Sequence, residues 1–305
     1  MTVAKVSASI VSEAIRRARP GTIRLFILTH FALSAIINLV FFASNAFRPL
    51  ASATGGLLNG SLVVNVLFVL LLVGWIMLRR GGLRPYDIGL IPRHLALGVA
   101  FTLAFWGAAQ LIHALAGLLA TGNIQLHPQW HDPGVSFMVG QILAQLIGNA
   151  LFEEIAYRAF LFPQLYLWLG KRVAHPWRRL LLALILSQGA FALSHIPNRI
   201  YRGMTPEIIA LDLLLLFCWG MIYTIMYLRT DNLFVAVGAH TMGNVPTTLF
   251  ATAPLLAGDG ETVLIYLMIA LAIFLYPMFR AARSAAAPRA DGENESGAVE
   301  WLGAD

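Results

Sequence analysis

The sequence predicts an all-α polytopic membrane protein of about eight transmembrane helices, with both termini cytoplasmic and a polar intramembrane cavity. Composition is the first reason. The chain of 305 residues is 58% hydrophobic and 12% charged, with a mean hydropathy of +0.73, too little polar surface for a soluble domain of this length. The second is the recurrence of apolar runs of about twenty residues, the length that crosses a bilayer. The third is charge: the net +6 comes from arginines and lysines clustered between those runs. That arrangement suits membrane topology, and without a basic fold or stacking motif it excludes nucleic acid as a partner.

The elements follow in order. Residues 1–21 form a basic cytoplasmic leader. Within it Thr2–Arg19 reads either as an interfacial helix, with Val6, Ile10 and Ala14 on one side, or as an unstructured segment. The next apolar run exceeds a signal-peptide core and reads as an uncleaved first span. Eight spans are expected within residues 22–279: Thr22–Phe47, Leu57–Leu78, Leu95–Ala120, Val135–Ala156, Leu180–His195, Ile208–Leu228, Leu233–Phe250 and Thr262–Phe279. With the N-terminus inside, seventeen basic residues fall on the cytoplasmic side, three (Arg48, Arg199, Arg202) on the other, and Arg158 within a span. Residues 280–305 are small, polar and acidic, a disordered cytoplasmic tail. The lone cysteine, Cys218, reads as a small apolar side chain that forms no internal disulfide. The expected location is a cell (inner) membrane of a prokaryote, with lipid as an obligatory partner.

The fourth span places ionisable groups where charge is least welcome. In "GQILAQLIGNALFEEIAYR", Gln141, Gln145, Asn149 and Glu153 recur every four residues and form one ridge, drifting about 40° per step on an α-helix. Glu154 lies about 100° around from Glu153 and can reach Arg158 one turn on. An ionisable group at mid-span costs about 2.5–3.5 kcal/mol, so Glu153, with no partner in its own helix, needs one from elsewhere. His195 ends the fifth span, and His240 and Asn244 share a face of the seventh. Singly, each histidine, like His30 and His113, reads as an interhelical hydrogen-bonder. Jointly, a carboxylate, two imidazoles and an amide from three spans can activate water and hold an oxyanion. Depth is the obstacle. Rise per residue puts Glu153 roughly 10–15 Å and His195 about 20 Å from the cytoplasmic end, so the set meets only if a helix begins later, tilts or lies in a cavity.

Glu153-Glu154-Ile-Ala-Tyr-Arg158, Phe191-Ala-Leu-Ser-His195 and His240-Thr-Met-Gly-Asn244 resemble the EExxxR, FxxxH and HxxxN elements of the CAAX-protease and bacteriocin-processing (CPBP, or Abi) intramembrane proteases. The resemblance covers about residues 135–250, with Ala159 where a glycine commonly follows the arginine. It implies an intramembrane endopeptidase with a cavity opening to the cytoplasm, acting on a membrane-associated peptide or protein cut near the cytoplasmic leaflet. On that basis Glu153 is the general base and His195 positions the water. His240 and Asn244 stabilise the oxyanion, and Glu154 and Arg158 support the site or engage substrate. No cofactor is expected. The alternative is zinc on Glu153, His195 and His240, although no HExxH helix is present. A non-catalytic peptide-binding or immunity protein of the same fold, and a transporter, are the competing functional readings.

Overall fold

A computed structural model describes residues 16–244 and 249–251, with Leu267, Ala270, Phe274 and Leu275. Among them six helices are long and apolar enough to cross a membrane. The leader, the eighth span and the tail expected from the sequence lie outside the described residues, apart from the leader's last six positions and those four in the span. We number the helices α1 (Thr22–Phe42), α2 (Arg48–Ala53), α3 (Gly60–Arg80), α4 (Pro92–Thr121), α5 (Val135–Leu169), α6 (Pro176–Leu193), α7 (Ile196–Tyr201), α8 (Pro206–Thr230) and α9 (Leu233–Asn244). The seventh span is shorter than expected, its described helix ending at Asn244.

Helix α5 is the axis of the molecule. Its residues 152–164 are buried without interruption, as a helix wrapped on every side requires. Around it α1 turns inward one residue in four, Thr22, Phe26, His30, Ser34 and Asn38, and leaves its remaining apolar surface to lipid. Helix α3 supplies Phe68, Leu72, Ile76 and Met77 to the same core. Exposed leucines such as Leu70, Leu103, Leu119 and Leu214 face outward, where hydrocarbon is the favourable neighbour.

Three close approaches hold α5 and α9 in place. At Gly140 an added Cβ would meet the backbone of Gly56 and Leu57, so α5 crosses the α2–α3 connection with no room for a side chain. Asn59 fastens the same crossing: its Oδ1 accepts from Leu62 N at 3.0 Å, capping α3, and its Nδ2 donates to the Gly140 carbonyl at 3.1 Å. Gly238 on α9 lies against the Thr102 side chain on α4.

The two ends of the bundle differ. At one, Arg19 N donates to Gly81 O at 2.9 Å and Ala18 N to Gln164 Oε1 at 2.8 Å. At the other, the α2–α3 connection, the start of α5 and α7 come together.

The depth conflict has a local resolution. Helix α5 does not stop at Ala156, where the fourth span is expected to end; it runs on to Leu169, with Pro163 near the start of its last α-helical stretch, where the missing N–H is tolerated. Its end packs antiparallel to the start of α6, Tyr166 and Leu169 against Leu180, Ala183 and Leu184. Thirteen residues back from Tyr166 along α5 is Glu153, and fifteen forward from Leu180 is His195. The two therefore arrive at one level.

Candidate active site

A cavity of about 340 Å³ opens between α1, α3, α5, α7 and α9, and Glu153, His195, His240 and Asn244 all line it. Fifteen of its twenty-two lining residues are polar, so it is a place for water and peptide groups rather than hydrocarbon. The structure thus brings the four residues together from three segments.

Glu153 comes from the buried middle of α5. The helix winds in wide i→i+5 turns over Ala144–Ala150 and again over Glu154–Leu161. Such turns are frequent at functional sites. They rotate less per residue than an α-helix, which removes part of the drift expected of the Gln141–Gln145–Asn149–Glu153 ridge. Gln145, Asn149 and Glu153 consequently share the cavity wall, while Gln141 lies outside it. Asn149 Nδ2 donates to Gln145 Oε1 at 3.4 Å, and Asn244 Nδ2 donates to the same oxygen at 3.2 Å. The last turn of α9 is tied to α5 through this shared acceptor.

The two imidazoles flank the Glu153 carboxylate. His195 Nε2 lies 3.7 Å from Oε1, and His240 Nε2 lies 3.6 Å from Oε2. Both gaps exceed a direct hydrogen bond. The opposite nitrogen of each ring is engaged: His195 Nδ1 donates to the Phe191 carbonyl at 2.9 Å, and His240 Nδ1 donates to Glu154 Oε1 at 2.7 Å. A carbonyl and a carboxylate only accept, so each neutral ring carries its proton on Nδ1 and turns a bare Nε2 toward Glu153. This changes the part open to His240: its Nε2 donates to an oxyanion only when the ring is doubly protonated. Tyr223 stacks on His240 with centroids 4.7 Å apart and fixes the ring plane.

Glu154 and Arg158 stand behind this set. Both are fully buried, Arg158 Nη1 lies 3.3 Å from Glu154 Oε1, and the guanidinium carbon sits 4.3 Å from the Phe191 ring centroid. Neither lines the cavity. This position suits the supporting part expected of the pair: the guanidinium packs on Phe191 and lies outside the cavity lining. Glu154 Oε1 takes both His240 Nδ1 and Arg158 Nη1, so one carboxylate joins α9 to α5.

Among the described residues no three His, Cys, Asp or Glu side chains have the arrangement of a metal site. The cavity also holds groups that the motifs did not signal. Asn198 Nδ2 donates to Asn38 Oδ1 at 2.9 Å across α7 and α1, and Arg199 Nε pairs with Asp212 Oδ2 at 2.7 Å. Asn38 and Asn65, amides inside apolar runs, carried a signal as polar groups within spans. Tyr223 carried none, since nothing in a sequence says which ring an aromatic will stack on. His30 does what a lone intramembrane histidine is expected to do, its Nδ1 lying 2.8 Å from the Tyr157 hydroxyl.

Residues 135–246 match the family model of the type II CAAX prenyl endopeptidases, Rce1-like. This segment carries an Rce1-like domain, in agreement with the resemblance of its three motifs. All seven motif residues lie within it, and so do thirteen of the twenty-two residues lining the cavity; the other nine come from α1 and α3. No curated protein and no solved structure matches the chain significantly. The Rce1-like segment, together with the long apolar helices, supports a multi-pass integral membrane protein that carries a domain similar to a peptidase family.

Proposed function

We propose that the protein is an intramembrane endopeptidase in which Glu153 activates water. The observation that carries the reading is the Glu153 carboxylate set between two imidazole Nε2 atoms on the wall of a polar cavity within the Rce1-like segment. A water molecule in that gap donates one hydrogen to Glu153 and the other to His195 Nε2, leaving a lone pair for the substrate carbonyl. As the new C–O bond forms, Glu153 takes the water's proton and later delivers it to the leaving amine nitrogen as the C–N bond breaks. Asn244 Nδ2 donates to the oxyanion, and so does His240 Nε2 once its ring is charged, with Glu154 as the counter-ion on Nδ1.

General-base work contributes about 10²–10⁴-fold and one oxyanion donor about 10²–10³-fold. Replacement of Glu153 by Gln should therefore remove measurable cleavage while insertion and folding persist. Comparative peptidomics of membranes carrying wild-type or Glu153→Gln protein reads this directly. A cut that survives in the variant at wild-type rate ends the proposal; a phenotype retained with an unchanged peptide profile indicates a non-catalytic binder of the same fold.

The competing mechanism is a zinc ion held by Glu153, His195 and His240, whose bare Nε2 atoms and carboxylate are the right donor types although the three do not stand in a metal-site arrangement. Tightly bound stoichiometric zinc in purified, active protein would carry that reading instead. Residence in the inner membrane of a prokaryote is part of the proposal.

A further inference from the structure

We infer that the cavity is loaded from the non-cytoplasmic side of the membrane, so that the substrate is an unprenylated peptide segment exposed there. The inference rests on the protease reading for its chemistry but on independent observations for its direction.

The first observation is where the cavity opens. Its residues on α1 run from His30 to Phe42, toward the end of that helix; those on α3 run from Ser61 to Phe68, in its first half. Ser194, Asn198 and Arg202 follow the end of α6, and Asn244 ends α9. All mark the end of the bundle remote from Gly81, Arg19 and Gln164. Among the described residues, none at the Gly81 end contributes to the lining.

The second is the charge of the two ends. The Gly81 end carries thirteen of the described arginines and lysines, against Asp87 and Asp231. The mouth end carries Arg48, Arg199 and Arg202, balanced by Asp132, Glu207 and Asp212. An excess of basic residues in short connections marks the cytoplasmic face. The thirteen-to-three division turns the mouth outward.

Together these reverse the cytoplasmic-leaflet cut site expected from the resemblance. They also bear on what is cut. Prenyl groups are attached to C-terminal Cys motifs that serve as anchors on the cytoplasmic surface, and a lining with fifteen polar residues of twenty-two is poorly matched to an isoprenoid chain. A polar peptide, from an exported protein or from an outward loop of a membrane protein, matches both the lining and the side.

Site-directed thiol labelling tests the direction without any cleavage. In a Cys218→Ser background, Arg202→Cys reports the mouth and Ala174→Cys the α5–α6 connection at the basic end. Sealed right-side-out vesicles from an expressing bacterium are treated with a membrane-impermeant maleimide, before and after permeabilisation. The expected result is strong labelling of Arg202→Cys from outside and at least tenfold weaker labelling of Ala174→Cys until the vesicles are opened. The reverse pattern, or equal labelling of both positions in sealed vesicles, overturns the inference. Because sidedness is read without activity, a reversed pattern leaves the protease proposal standing. Conversely, loss of the protease proposal through the Glu153→Gln comparison leaves the direction standing.

Discussion

Glu154 is the residue on which the others depend, because a single oxygen serves both a cation and an imidazole. Replacing it by Gln leaves the Arg158 charge buried with no counter-ion, a change that costs about 3–5 kcal/mol when one partner of a buried pair is removed. Thermal unfolding of the purified protein should therefore show Glu154→Gln to be strongly destabilised. A Glu154→Gln/Arg158→Met double variant should recover much of that loss and still lack activity, since the neutral amide leaves a charged His240 ring without its counter-ion. Recovery of cleavage together with stability would mean that Glu154 acts only as a counter-ion to Arg158. Tyr157→Phe, at the hydrogen bond with His30 Nδ1, should cost only about 0.5–1.5 kcal/mol, the ordinary worth of a neutral hydrogen bond. Activity should change little, because Tyr157 does not line the cavity.

At the scale of elements, α5 was legible in part. Its polar ridge and its three ionisable groups could be placed on a helix from their spacing, and the assignment of Glu153 to the polar ridge and Glu154 to Arg158 agrees with the structure. Its end could not be read, because Pro163 is equally a helix stop and a residue tolerated near the start of a helical stretch. The wide turns were invisible for a related reason: no residue pattern distinguishes i→i+5 winding from an α-helix, and packing around the buried middle of α5 selects it. The crossing at Gly140 offers the corresponding test. A Gly140→Ala methyl must enter the space of the Gly56 and Leu57 backbone, and overpacking of this kind costs about 1–3 kcal/mol. Lowered thermal stability, with cleavage reduced because Glu153 rides on the same helix, is the expected outcome; a fully stable, fully active variant would show that the connection yields freely.

For the whole molecule, the polar cavity and the basic end lie at opposite ends of one bundle. If the mouth faces outward, a thiol placed in it should control activity from that side alone. Ser61→Cys in the Cys218→Ser background should react with an impermeant methanethiosulfonate in sealed right-side-out vesicles. The attached group should then lower cleavage at least tenfold, since it fills part of a cavity of about 340 Å³. Unchanged cleavage after complete modification would place substrate entry elsewhere. The sidedness also shows where inference from motifs ends: three short elements locate the reacting groups relative to one another, yet they carry no sign for the direction from which the space is filled.

By itself the sequence determined that the chain crosses a membrane repeatedly, which loops are basic, and which polar residues must find partners, because hydrocarbon leaves no other choice for those groups. Only the tertiary structure decided that Glu153, His195, His240 and Asn244 share one cavity, that Arg158 lies outside its lining, and which end stands open. Those facts depend on how helices distant in sequence cross, and a crossing is settled by close contacts such as Gly140 on the Gly56–Leu57 backbone. Local periodicity does not encode such contacts.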